Sequence, residues 1–442
     1  MNLTYLPGFT WLRRYRLQQF LKTSFWFWPF VVVLLTLFVA LPVVDWLGSR
    51  GYQLDFLWHN LNADRARVIV GSFSASMLTF LVFVLSSLVM VVQLASAQLT
   101  PRIMAITFSD KQAKIMTCML LFSFLFGTAV MGRIESDEIP ILLGIKITVM
   151  SVLLSIILFL RYIPHLGMSL RPISLMRHVA DEGRTAIESM YPKTHDTVAS
   201  EKTDRIPKKL QRKDANVIAY DGPSGVFMAF GATDLVRTAH AAGCTIELIQ
   251  QVGNFVSKGE PLFQTFPPDR PVDAGILHQM VAIGPERTLE QDPVFAFRII
   301  VDIANRALSP AVNDPTTAVL AIDQLERLLR NIGSRQLDPG MIYDADGELR
   351  LIIPVAVWDD YVSLAVSEIR LYGANSIQVP RRLSAMLEYL REILPASRAP
   401  ALRKELQLLT KAVKREFLDA TDREMVSIGD RQGVGGTTSE NP

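Results

Sequence analysis

The stretch VIVGSFSASMLTFLVFVLSSLVMVVQLA, Val68 to Ala95, contains no charged residue and decides how this chain is read. An α-helix rises 1.5 Å per residue, so about 20 apolar residues cross a hydrocarbon layer about 30 Å thick, and this block exceeds that length. Three more blocks share its character: Phe25 to Val44, Ile115 to Met131 and Ile139 to Leu160. Backbone amides cannot stay unpaired in lipid, and the blocks are apolar all round rather than alternating, so each is expected to be a helix. The expected fold class is a membrane α-helical protein with four transmembrane helices, followed by a cytoplasmic α+β domain containing a small barrel-sandwich-like β module and several helices. Lipid is therefore the first expected partner.

Charge flanking the blocks predicts their orientation, because short lysine- and arginine-rich loops stay on the cytoplasmic side. Arg13, Arg14, Arg16 and Lys22 precede the first block, Arg102, Lys111 and Lys114 lie between the second and third, and Arg161, Arg171, Arg177 and Arg184 follow the fourth. The opposite loops hold only Arg50, Arg65, Arg67 and Arg133, the last beside Glu135, Asp137 and Glu138. Both termini are expected in the cytoplasm. The first block is too long for a secretory signal core and ends in Pro42, Val43, Val44, Asp45 and Trp46 without a small-residue cleavage site, so it reads as a retained anchor. Trp26, Trp28 and Trp46 bracket it at headgroup depth. The whole chain of 442 residues is half hydrophobic with a net charge of +2, which gives no ground for a nucleic-acid partner. Two cysteines, Cys118 and Cys244, supply neither a disulfide framework nor a thiolate metal cluster.

At helical spacing the second block gathers Ser72, Ser76, Thr79, Phe83, Ser86, Met90 and Gln93 on one stripe, a small and polar face on an otherwise Leu, Val and Phe helix. Such a face serves close helix packing, as the pair Gly71 and Ala75 would, or it lines a wet path. Lys146, two turns into the fourth block, falls at the depth of Ser72 to Ser76 if the two helices are antiparallel neighbours. It either joins the path or snorkels to the outer surface. After the second block Pro101 ends the helix, leaving Gln98, Pro101 and Arg102 as a polar elbow that meets lipid phosphate or a ligand.

Beyond Arg161 an amphipathic helix from about Ser174 to Tyr191 leads into a charged stretch, Pro192 to Asp214, that reads as a solvated connector or, in Lys208 to Lys213, as a headgroup contact. Residues 161–214 form one segment and the soluble domain is expected over 215–427, with a disordered tail from Ile428. Asn216 to Tyr220, Val226 to Phe230 and Thr245 to Gln251 read as strands, with a short helix at Thr233 to Ala242 closed by Gly243. Val252 to Leu262, VGNFVSKGEPL, resembles the turn of biotinyl and lipoyl carrier-like barrel-sandwich folds, but without a Met-Lys-Met swivel no attached cofactor is expected. Strands at Met341 to Tyr343 and Leu349 to Val357 flank the turn Asp344 to Gly347, which lacks the acidic ligands of an EF-hand calcium loop. Helices are expected to about Tyr372, over Pro380 to Leu394 and over Pro400 to Leu418.

The densest constellation lies between Glu290 and Val319. A helix through Ala307 is followed by a turn and by Asp314 as N-cap with Pro315 at the first helical position. Arg306, Ser309, Asn313, Asp314 and Thr317 could hold a small anion at the free amides of that helix start, or simply form a cap and tight turn. No GxxxxGK[ST] loop, HExxH, GxSxG or Cys-x-x-Cys occurs, and the six histidines never fall at ligand spacing. Asp292, Asp302, Glu326 and Asp360 are the acids that would have to converge for acid/base chemistry. No catalytic, metal or cofactor residue is expected.

The segment DIANRALSPAVNDPTTA, Asp302 to Ala318, resembles the hallmark of the bacterial membrane-protein family catalogued as domain of unknown function 2254. Ser96 to Arg102 and Gly253 to Leu262 resemble its other recurrent segments, and the likeness spans roughly Leu12 to Leu409. The resemblance implies four N-terminal spans and a soluble C-terminal half, with no agreed activity. Two functions stay open at this point. One is a non-enzymatic homo-oligomeric pore or transport-type protein whose second and fourth spans line a path. The other is an anchored sensor or scaffold that takes a small anion or a protein partner at Ser309 to Thr317.

Overall fold

The computed structural model describes residues 10–50, 63–98, 110–134, 140–169, 171–192, 194, 215–337 and 340–433. It divides into two compact units, one of Gln18–Arg171 and one that joins the chain up to Leu17 with the chain from Pro172 onward.

Four helices of the first unit are long and apolar enough to cross a membrane, over Phe27–Leu47, Asp64–Leu94, Lys111–Met131 and Leu142–Met168. The first is not uniform. After α1 (Trp11–Thr23) come α2 (Phe27–Leu35), a π-helical turn (Thr36–Ala40) and α3 (Leu41–Ser49). Pro42 explains the turn, since it lacks an N–H and its ring crowds the carbonyl four residues back, so one wider turn absorbs the misfit. The others are α4 (Ala63–Gln98), α5 (Lys111–Met131) and α6 (Pro140–Ser169), the last running past the expected end at Leu160.

Helices α5 and α6 form the centre, with α4 and α2 against α5 and α3 against α6. On α4 the buried positions are Ala66, Val70, Ser74, Met77, Leu81, Val84, Leu88, Val91 and Val92. Their spacing of three and four keeps one seam facing its neighbour over the whole length. Two apolar clusters fill the unit, one around Met77, Leu81, Met116 and Val152, the other around Val44, Val70, Phe126 and Leu143. A polar layer of Ser74, Ser123, Thr148, Ser151 and Ser155, all buried, lies between residues of the two clusters along the helices. Gly127 makes this layer possible: a Cβ there would stand 2.3 Å from Ser74 Oγ and 3.0 Å from Thr148 Cγ2.

The second unit is helix-rich with two small sheets. Its strands are β1 (Asn216–Ala219), β2 (Gly225–Phe230), β3 (Thr245–Leu248), β4 (Phe255–Val256), β5 (Pro261–Phe266), β6 (Val281–Gly284), β7 (Met341–Tyr343) and β8 (Leu349–Ile352). One sheet has the order β1-β5-β3-β8-β7 and the other β4-β2-β6. The Val252 to Leu262 reversal therefore does not close a paired hairpin. Its two strands enter different sheets, and Gly253 and Gly259, at φ 96° and 89°, supply the left-handed backbone the crossing needs. Pro354 ends β8 short of the expected Val357, because a residue without an N–H cannot continue the ladder.

The helices are α7 (Pro172–Met190), α8 (Ala232–Ala242), α9 (Ala274–His278), α10 (Pro293–Ala307), α11 (Pro315–Gly333), α12 (Trp358–Gly373), α13 (Gln378–Ile393), α14 (Ala399–Glu416) and α15 (Ala420–Ser427). Helix α10 packs against α7, α11 and α12, which bury most of it and leave Arg306 exposed. The amphipathic helix read as part of a connector is thus core: Met176, Val179, Ala180 and Ile187 of α7 are fully buried, and Gly183 lets Ala296 approach. The compact unit begins at Pro172 rather than at residue 215. Of the connector Pro192 to Asp214, only Pro192 and Thr194 are described, so Lys208 to Lys213 lie outside the described residues. The chain up to Gly433 is described, which includes Ile428 to Gly433 of the expected tail.

The N-terminal flank also belongs to this unit. Leu12 N donates to Gln279 O (3.1 Å), Trp11 lies over Gly231, and Tyr15 meets Thr288 through its hydroxyl (3.4 Å). Burial pushes the Tyr15 phenol up to about 12.

The Gly127 contact makes a specific demand on the apolar unit. Gly127→Ala is expected to lower stability by about 1–3 kcal/mol through overpacking. Adding Ser74→Ala, which removes the colliding oxygen, should recover most of it, as read by thermal unfolding in detergent.

Candidate functional site

Three groups of polar side chains compete for a functional role, and the first lies on α4. Ser72, Ser76, Thr79, Ser86 and Gln93 are all exposed on the outer face of the apolar unit, together with Phe83 and Met90. Ser76 Oγ donates to Ser72 O (2.8 Å) and Thr79 Oγ1 to Ala75 O (3.2 Å), so both hydroxyl hydrogens are spent on the helix itself and lone pairs point outward. Gln93 is different, because its amide carries two donors and an acceptor that its own helix cannot satisfy.

Lys146 does not join that stripe. It is buried within the unit, on the part of α6 that carries Thr148, Ser151 and Ser155. There Thr148 Oγ1 donates to Gly144 O (2.9 Å), Ser151 Oγ to Thr148 O (2.8 Å) and Ser155 Oγ to Ser151 O (2.8 Å). Ser123 Oγ stands 2.9 Å from Ser155 Oγ and is the donor left over. Sequence spacing had offered Ser72 and Ser76 as partners in depth for Lys146, but the α4 serine turned inward is Ser74. The elbow is not available for comparison: Pro101, Arg102 and the side chain of Gln98 lie outside the described residues.

Charged clips close the ends of the same unit. Asp110 caps α5 through Gln112 N (2.9 Å) and meets His165 Nε2 of α6 at 2.8 Å, while Lys114 Nζ donates to Lys22 O (2.6 Å) at the end of α1. Arg133 Nη1 reaches both carboxylate oxygens of Asp45 (2.9 and 2.7 Å). No sequence signal joins these pairs, which are separated by 55 to 92 residues.

In the second unit the Asp302 to Ala318 segment is a helix end, a tight turn and a helix start. Ser309 Oγ donates to Arg306 O (2.7 Å), Asn313 adopts φ 47°, and Asp314 N donates to Ala307 O (2.8 Å). Asp314 then accepts Thr317 N on Oδ1 (3.0 Å) and Thr317 Oγ1 on Oδ2. A carboxylate thus covers the amides that an anion would need, and Ser309 and Thr317 have spent their hydrogens locally. Arg306 stands exposed beside them.

The four acids considered for acid/base work have separate duties. Asp292 caps α10 through Phe295 N (3.0 Å) and holds Arg287 (2.8 Å); burial raises its carboxyl against the pull of that guanidinium. Asp302 holds Arg298 (2.7 Å), Glu326 holds Arg382 (2.6 Å) and Asp360 accepts Val357 N (3.1 Å). Arg298 also clamps Glu368 of α12 through two hydrogen bonds (2.5 and 2.8 Å), with Asn305 Nδ2 on the same carboxylate (2.6 Å). These bonds hold the Glu368 carboxyl below its ordinary value.

Two further clusters were not visible in the sequence. His240 Nδ1 lies 2.9 Å from Asp344 Oδ2 and 3.9 Å from Asp346, a spacing a metal ion could use. Arg350 Nε occupies that Asp344 oxygen at 2.6 Å, and the backbone N–H groups of Asp346 and Glu348 take the other, so the carboxylate is already saturated. The second cluster lies beyond the carboxyl ends of the parallel pair β3 and β8, where Gln251, Asp292, Val355, Tyr191 and Tyr361 line a cavity of about 20 Å³. That is room for about one water molecule and for no substrate.

A family model described as "Predicted membrane protein (DUF2254)" matches residues 22–389. Uncharacterized proteins of Mycobacterium bovis and of Mycobacterium tuberculosis are each 27% identical over 430 residues, covering 94% of this chain and 81% of theirs. No solved structure is a significant match.

Two outcomes follow from this geometry. Asp314→Ala should cost about 1 kcal/mol of stability with Asp314→Ser nearly neutral, the signature of a cap, measured by denaturant unfolding. Glu368 has a depressed pKa, so its stabilisation is full above the unfolded carboxyl value of about 4.3 and fades as pH falls through the lower folded value. Glu368→Gln should therefore cost about 1–2 kcal/mol at pH 7, toward the lower figure because the carboxylate is partly exposed, and the gap should narrow in acid.

Proposed function

Because the chain belongs to the family of predicted membrane proteins described as DUF2254, we propose that it spans the bacterial cytoplasmic membrane four times, with both termini in the cytoplasm. We propose further that copies assemble through the polar face of α4 into a non-enzymatic pore or transport-type protein, its soluble half regulatory. The packing of residues 11–17 in one unit with the chain beyond Pro172 supports the topology. Both flanks of the apolar unit then lie on one side, which requires an even number of crossings. Basic residues concentrated in those flanks favour the cytoplasmic side. The barrel-sandwich likeness of the β strands is read as a structural platform without an attached cofactor.

The observation that carries the assembly is the exposure of Ser72, Ser76, Thr79, Ser86 and Gln93 on one face of a helix whose opposite face is packed. In hydrocarbon, an uncovered glutamine amide has no partner, whereas a second copy or a water-filled axis supplies one. Lys146, buried within each copy, is assigned to the protomer's interior and not to the axis. The anchored-sensor alternative draws less support, since Asp314 places a carboxylate where its anion would bind.

In a Cys118→Ala background, Ser76→Cys should cross-link copies under oxidation while Met77→Cys, on the packed seam, should not. Light scattering in detergent should give a multimer, and Ser76→Phe should reduce ion flux into proteoliposomes. A monomeric mass with no Ser76→Cys cross-link defeats the assembly; a multimer without flux defeats the pore alone.

A further inference from the structure

Helix α14 carries its charges in a segregated way. Counting 100° per residue, Arg403, Lys404, Lys411, Lys414 and Arg415 fall within about 120° of arc, along about 18 Å of axis. All five are exposed, and Gln407 and Thr410 fill the rest of that face. The two acids of the helix, Glu405 and Glu416, point elsewhere: Glu405 is buried against Arg370 (3.3 Å), and Glu416 pairs with Arg415 (3.0 Å). Among the described residues Arg403, Lys404, Lys411 and Lys414 make no ion pair. The opposite side, with Ala401, Leu402, Leu409, Ala412 and Val413, is packed in the core. Just past the helix end stands Leu418, 87% exposed, the most exposed large apolar side chain among the described residues. The next acids, Asp419 and Asp422, belong to the start of α15, where Asp419 is spent as a cap.

We propose that this face of α14 docks on anionic phospholipid headgroups of the membrane the chain spans, with Leu418 at the headgroup boundary. The argument is charge complementarity: a face on which Arg403, Lys404, Lys411 and Lys414 make no ion pair among the described residues, and only Arg415 has an acid beside it, meets a surface of phosphodiesters, and each lysine or arginine near such a surface adds to the attraction. Single-stranded nucleic acid also presents phosphates, but its binding faces interleave aromatic side chains for base stacking, and this face has none. The proposal rests on the reading that the chain spans a bilayer, which holds the soluble unit at high local concentration near lipid.

The test uses the full chain in nanodiscs of phosphatidylcholine alone or with phosphatidylglycerol, with lysine acetylation rates read by mass spectrometry. Lys404, Lys411 and Lys414 should react about fivefold more slowly in the anionic discs, and high salt should restore their rates. Lys258, exposed on the β strands' side of the unit, should react equally in both. Lys411→Glu combined with Lys414→Glu should abolish the protection of Lys404. Equal rates in the two discs overturn the proposal, as does protection that appears only when an oligonucleotide is added. A chain that fails to co-purify with any disc overturns the membrane reading itself, a separate outcome.

Discussion

Long apolar stretches offer polar groups few hydrogen-bond partners beyond their own helix, and that constraint orders the N-terminal unit. Helices meet it for the backbone, and the side chains meet it in two ways. Thr36, Ser76, Thr79, Thr128 and Thr148 return their hydroxyl hydrogens to carbonyls of the preceding turn of their own helix. Ser123 instead reaches across to Ser155. A back-bonded hydroxyl can face lipid, a neighbour or water at little cost, which is why a serine pattern alone does not reveal which way a helix is turned. Charged groups have no such freedom, and Asp110, Lys114, Asp45 and Arg133 are held at helix ends by partners from other helices.

In the second unit ion pairs join helices that apolar packing has already brought together. Arg298 to Glu368 ties α10 to α12, Arg382 to Asp323 and Glu326 ties α13 to α11, and Arg370 to Glu405 ties α12 to α14. Each of these acids serves one arginine, so the pairs act as fasteners between helices. The hallmark segment fits the same account: Asp314 and its turn set the angle between α10 and α11, and α10 is the helix every neighbour packs against.

Much of this was legible in the residues. Long uncharged blocks favour helices, so the four apolar helices and the Asp314–Pro315 helix start followed from composition and local chemistry. Strands β1, β2, β3, β7 and β8 were legible because alternation and glycine turns are local signals, whereas β4, β5 and β6 were not read from the sequence. What periodicity could not supply was facing. Ser72 and Ser76 mark the same stripe whether it looks inward or outward, and only the packing of Ala66, Val70 and Met77 against α5 turns it out and leaves Lys146 inside.

The amphipathic α7 shows the same limit from the other side, since its sequence announces an apolar face but not that α10 and α11 cover it. The sequence by itself determined the long apolar helices and the capped helix start at Asp314, because helix length, hydropathy and capping are properties of neighbouring residues. Tertiary structure alone decided the partners: His165 with Asp110, Glu368 with Arg298, Leu12 with Gln279. Those pairs are dozens to hundreds of residues apart, and their contact is fixed by how the elements pack, which no local pattern encodes.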